Sequence, residues 1–189
     1  MVNAIRLIAA SLIIVLFSQC SQSAPEQNAE EVTPSYSIAE QHLKIWDEAT
    51  EQVYELIDHM PEDKLQYKPH DSLRTFAEQI VHIALSSYSI ANMFLNDEKM
   101  HGPNEMNASK MTKDDLKMLV KEKLGAARKI MEGMSDERLL NEKVTTFMGN
   151  EMTRLEGMMF VHDHLTNHKA KANMYIRMTN TQPPKYRYY

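Results

Sequence analysis

Eight histidines are the side chains of this sequence best suited to bond-making chemistry, and helical geometry sorts them. His164 and His168 are four residues apart, hence one turn apart on one helix face, with Cβ atoms about 6 Å from each other. That is how a helix offers two imidazoles to one metal ion, as in the HExxH pattern. Leu165 stands where that pattern needs its glutamate, so the chain is not a zincin. His162 precedes His164 by two residues and points roughly 200° away on a helix, so it is set aside. A third ligand must come from another helix. His82, midway along the second predicted helix, is best placed; its face also carries Glu78, Leu85, Ser86 and Ser89, and the serines leave room beside the ring. His42, His59, His70 and His101 fall near a helix start or in loops and read as structural or solvent-exposed.

The elements that must position these rings are helices. The sequence has 189 residues, only five of them Gly, and β-branched residues never gather into strand-like runs. The first helix opens at Ser37 with Glu40 three residues on, a capping box. Its apolar stripe is Trp46, Ala49, Val53, Leu56 and Met60, and Pro61 stops it. The second starts near Thr75, boxed by Glu78, and runs to about Leu95 along Phe76, Ile80, Ala84, Ala91 and Phe94. Residues 96 to 111 read as loop. The third opens at Thr112 with Asp115, lined by Leu116, Leu119, Leu124, Ala127, Ile130 and Met134. After a connection over residues 135 to 150, the fourth runs from about Glu151 to Met178. Its stripe is Met158, Val161, Leu165, His168, Ala172 and Tyr175. His168 therefore sits at a core position, where an imidazole needs a hydrogen-bond partner or a metal. The expected fold is all-α, a four-helix bundle over residues 37–186.

The N-terminus reads as an address. Arg6 precedes an apolar run from Leu7 to Phe17, too short to span a bilayer but suited to a signal-peptide core. Cys20 follows that run and resembles a lipoprotein cysteine, which makes residues 1–20 a signal segment and Cys20 the lipidation site. The alternative is ordinary cleavage, with Ser21 and Ser23 flanking Gln22. Residues 21–36 contain little apolar material and read as a flexible linker. Cys20 is the only cysteine, so the bundle has neither disulfide nor thiolate ligand. The formal charge of −5 argues against a nucleic-acid partner.

Three stretches together resemble the DinB-like metal-binding bundle superfamily, to which the YfiT-type thiol transferases belong. They are Met60 to Pro69; Leu73 to Ala84, which contains His82; and His164 to His168 with Tyr175-Ile176-Arg177 and Pro183-Pro184-Lys185-Tyr186 after it. The resemblance implies that His82, His164 and His168 bind one divalent metal ion, zinc or nickel first, with open positions for water or substrate. One departure follows His168: the family often has Arg-Gly-Gln there, and this chain has Lys169-Ala170-Lys171.

The resemblance implies two readings. One is a metal-dependent thiol transferase or hydrolase with a small-molecule substrate; the other is a metal-binding lipoprotein module without turnover. Asp163 and Glu78 are the nearby carboxylates, and each reads first as a solvated or supporting residue, so no catalytic residue is assigned. The fifteen methionines raise copper(I) as a lesser candidate, with Met158 and Met159 near His162. A homodimer is allowed, but no apolar stripe demands one. The chain is expected to be exported and held at a membrane through Cys20. Cys20→Ala should then move the protein from the membrane fraction to the soluble one. A wild-type protein that is already soluble, with its N-terminus at Ala24, would establish plain secretory cleavage instead.

Overall fold

The computed structural model describes residues 36–98 and 106–187. The signal segment with Cys20, most of the linker, and Gly102-Pro103-Asn104 lie outside the described residues. The helices are α1 (Ile38–His59), α2 (Phe76–Leu95), α3 (Lys113–Glu132), the short α4 (Asp136–Asn141) and α5 (Arg154–Met178). A two-stranded antiparallel ribbon, β1 (Lys143–Thr145) and β2 (Glu151–Thr153), lies between α4 and α5, with Val144 opposite Met152. Among the described residues no helix is long and apolar enough to cross a membrane.

Every long helix begins with a complete capping box: Ser37 with Glu40, Thr75 with Glu78, Thr112 with Asp115, and Thr153 with Glu156. Each satisfies otherwise orphaned N–H groups and contributes about 1 kcal/mol. Together they set where each stripe starts, and so which residues face inward. α1 and α2 each pack along both α3 and α5, so they occupy opposite corners of the bundle. The chain crosses from one corner to the other through residues 60–75. This crossing is pinned by the buried Leu65 and by Phe76 N–H to the Tyr67 carbonyl (2.8 Å) and Ala77 N–H to the Leu65 carbonyl (2.9 Å).

The expected stripes of all four long helices are inside, except that Ile130 is only partly buried. Met131 and Val120 complete the α3 face in its place. Trp46 is the largest core side chain, and its indole N–H donates to the Leu124 carbonyl at 3.3 Å, so burial leaves no orphaned donor.

Two expectations are corrected. Residues 135–150 are not a plain connection, because they hold α4 and most of a hairpin. The last helix begins at Arg154 rather than Glu151, since Glu151–Thr153 pair with Lys143–Thr145. The hairpin closes through Thr146 N–H to the Asn150 carbonyl (2.7 Å), with Gly149 at φ 84°, a backbone region that glycine enters without strain. Arg154, only 5% exposed, locks the ribbon and the end of α2 to α5. Its guanidinium donates to Glu142 Oε2 (2.5 Å), Asp97 Oδ2 (2.6 Å) and the Phe94 carbonyl (3.1 Å).

α5 meets α2 most tightly at a residue without a side chain. A Cβ at Gly157 would lie 2.8 Å from the Phe94 Cβ. Gly125, in α3, would find nothing within 4 Å of an added Cβ. Helix propensity favours alanine over glycine by about 1 kcal/mol, whereas an overpacked contact costs about 1–3 kcal/mol. Gly125→Ala should therefore raise the urea midpoint and Gly157→Ala should lower it. Equal shifts in the same direction would refute the close approach.

Candidate metal centre

His82 projects from α2, and His164 and His168 project one turn apart from α5, so the α2–α5 contact brings the three together. The ring centroids are 4.4 Å (His82–His168), 4.5 Å (His164–His168) and 5.5 Å (His82–His164) apart. One nitrogen of each lies within 4.8 Å of the others, a grouping that could hold a metal ion. A zinc-like ion at 2.0–2.1 Å from three nitrogens sets them about 3.3 Å apart, so modest ring rotation suffices. The group contains no carboxylate among the described residues. His168 is buried; His82 and His164 are half-buried.

The surroundings keep these imidazoles neutral. Burial, then the neighbouring His82, His164, Lys171 and Arg74, lower the His168 pKa to about 3. Burial foremost, with Lys171 and Arg74, also lowers that of His164, against the opposite pull of Asp163. A neutral imidazole is the ligating form, so protons compete weakly for this site.

Two α2 side chains not singled out as site partners hold the rings. Gln79, 2% exposed, places its amide nitrogen 2.5 Å from His168 Nδ1 and 3.4 Å from the His168 carbonyl. Ser86, 1% exposed, donates to the His82 carbonyl at 2.5 Å. A carbonyl cannot donate, so the serine proton is engaged there, and its oxygen accepts from His164 Nε2 at 3.0 Å. That leaves Nδ1 as the lone-pair nitrogen of His164. Gln79 and Ser86 lie three before and four after His82, the spacing that shares a helix face. The signal was present, a long polar residue inside an apolar stripe.

The site has two unlike flanks. Phe160 lies 6.2 Å from His164, centroid to centroid, and continues into Phe94 and Phe147. Beyond His168, on the other flank, a polar cavity of about 370 Å³ is lined in part by Arg74, Glu78, Lys171 and Tyr175.

The remaining expectations fall elsewhere. His162 turns to the α1 side, edge-on to His42 at 5.4 Å and tilted to Trp46 at 6.4 Å. His59 bonds through Nδ1 to the Glu55 carbonyl, and His70 through Nδ1 to Ser72. Asp163 is exposed, and Glu78 accepts the Thr75 N–H in its capping box. Met158 is core and Met159 is largely exposed.

Residues 28–188 match the DinB family. The chain is 26% identical over 134 residues to the uncharacterized protein YjoA of Bacillus subtilis (strain 168), covering 70% of this chain and 85% of that one. The crystal structure of YjoA, a DinB-like protein, aligns with a TM-score of 0.61 at 20% identity, covering 79% of this chain and 99% of that one. A DinB-like protein from Bacillus cereus ATCC 10987 gives 0.63 at 15% identity over 80% of this chain and 98% of that one. The mycothiol-dependent maleylpyruvate isomerase gives 0.55 at 15% identity, over 70% of this chain and 59% of that one.

The buried imidazoles make stability depend on pH in a definite direction. Burial also lowers His42 to about 4, with His162 beside it. Unfolded histidines take up protons near pH 6.5, while folded His42 and His168 refuse them until pH is far lower. The unfolded state then holds more protons, so each histidine removes up to about 1.4 kcal/mol per pH unit as pH falls below 6.5. The metal-free protein should lose urea resistance between pH 7 and 5, above the carboxylate range, and His42→Gln should flatten that slope. A flat or rising profile in the unsubstituted protein would overturn this account.

Proposed function

The chain belongs to the DinB family, and from that premise we propose that it is a metal-dependent thiol transferase or hydrolase whose His82, His164 and His168 hold one divalent cation. The observation that carries this reading is the donor set: three neutral imidazoles, from two helices, without a charged ligand. Such a set suits zinc or nickel. Three protein ligands leave a coordination position open, the make-up of a reactive site rather than a closed structural one. The mycothiol-dependent isomerase among the structural relatives supports a thiol as one reactant. An ion of this kind lowers the pKa of a bound water toward about 7 and deprotonates a bound thiol outright.

The protein's own groups supply orientation and proton control. Ser86 holds His164 through Nε2, which directs its Nδ1 lone pair toward the shared centre. Gln79 performs the same service for His168. With its amide turned over, the Gln79 oxygen accepts an Nδ1–H and leaves His168 Nε2 free to ligate, the usual outer partnership of a metal-binding histidine. The apolar wall of Phe160 and Phe94 limits water on one flank.

One observation favours the second reading, a metal-binding module without turnover. Neither Glu78, engaged in its cap, nor exposed Asp163 is arranged as a general base. A thiolate nucleophile formed at the ion needs no such base, so the transferase reading stands first. Export and membrane attachment through Cys20 belong to the same proposal and place the reaction outside the cytoplasm.

Elemental analysis of the purified mature protein, beside a panel of thiols and electrophiles, tests the reading. One bound ion per chain and metal-dependent conjugation support it; a bound ion with no turnover across the panel favours the module. Continuous apolar stripes should let the bundle fold without metal. At a hundredfold excess over Kd, bound ion adds about 2.7 kcal/mol. Chelation should accordingly lower Tm by roughly 5–10 °C and leave helix content intact. His168→Ala should abolish binding and destabilise more than His164→Ala, because it also opens a hole in the core. Outright unfolding on chelation would make the ion structural.

A further inference from the structure

The cavity beside the three histidines carries more positive charge than metal binding alone would favour. Its volume is about 370 Å³, and Arg74, Glu78, Gln79, His168, Lys171 and Tyr175 line it. That size lies at the lower end of the range for small-molecule sites, about 300–1,000 Å³. Lys171 follows His168 by three residues, so it shares that helix face and reaches over the same opening. Arg74 stands immediately before Thr75, the N-cap of α2. Two cations face one carboxylate, and Glu78 Oε2 already accepts the Thr75 N–H at 2.8 Å. A divalent ion on three neutral ligands adds two further positive charges with no anion among its protein donors. Like charges this close repel strongly wherever water is partly excluded, and an anion in the cavity relieves them. Lys171 is also where this chain departs from the glutamine common in the family.

We propose, resting on the thiol reading above, that this cavity receives the carboxylate of an anionic thiol substrate, with Lys171 as its specificity-determining residue and Arg74 beside it. The carboxylate lies toward Lys171 and the sulfur toward the three histidines. A thiol without the carboxylate leaves the cavity's cations uncompensated and binds less tightly.

The test uses the cobalt-loaded mature protein titrated with 3-mercaptopropionate and with its uncharged methyl ester, following thiolate-to-cobalt absorption. The acid should bind about five- to tenfold tighter than the ester, and Lys171→Gln should erase that preference without weakening the ester. Lys169→Gln removes the same charge from the α1 side of α5, where Lys169 donates to Gln52, and should keep the preference. Equal binding of acid and ester in the unsubstituted protein overturns the proposal. So does a Lys169→Gln effect as large as that of Lys171→Gln, which would mean general charge rather than a site. If neither thiol produces the absorption, the thiol reading fails, and calorimetry with succinate, with and without cobalt, decides the cavity separately. Heat that disappears in Lys171→Gln upholds the anion site; no heat, or heat that Lys171→Gln leaves intact, overturns it.

Discussion

An imidazole placed in an apolar core must stay neutral and must find a partner, and the candidate site is organised around that constraint at His168. The ring occupies a stripe otherwise filled by Met158, Val161, Leu165 and Ala172, all fully buried. Water is absent as a partner there, so α2 supplies one by burying a second polar group, Gln79. Burying Gln79 in turn requires that α2 lie close along α5, which brings His82 within 4.4 Å of His168. The same close packing buries Ser86, whose hydroxyl links the His82 carbonyl to the His164 ring. Each polar group here is tolerated because another is buried to meet it.

The helices and their starting points were legible because caps and stripes are local signals. Ser37, Thr75 and Thr112 with their acidic partners define three boundaries to the residue. The fourth box, Thr153 with Glu156, has the same form, yet a helix start at Glu151 hid it. The ribbon before it escaped notice for a tertiary reason. Its strands have three residues each, too short to show alternation, and they are held largely by Arg154, whose partners Glu142 and Asp97 are distant in sequence. The convergence of His82 with the α5 pair followed from the spacing of two helices. The roles of Gln79 and Ser86 did not, because a buried glutamine is identified only by what stands opposite it.

The HxH pair on α5 acquires its meaning from the bundle's ring order. α1 and α2 stand at opposite corners, each against α5. Residues two apart on a helix diverge by about 200°, so His162 and His164 are delivered to different neighbours. His164 joins the α2 cluster, and His162 meets His42 and Trp46 of α1. A motif that on a strand would suggest one shared ion divides here between two separate environments.

The missing side chain at Gly157 bears on which ion the site suits. Two of the three ligands ride on α5 and one on α2, so the distance between those helix axes is the bite of the site. Gly157 against Phe94 lets the backbones approach where any Cβ would hold them apart. An ion's radius is thus matched to an interaxial spacing governed two turns away from the ligands. Related bundles can retune that spacing, and with it their preference between smaller and larger cations, through the bulk of one residue and with every ligand unchanged.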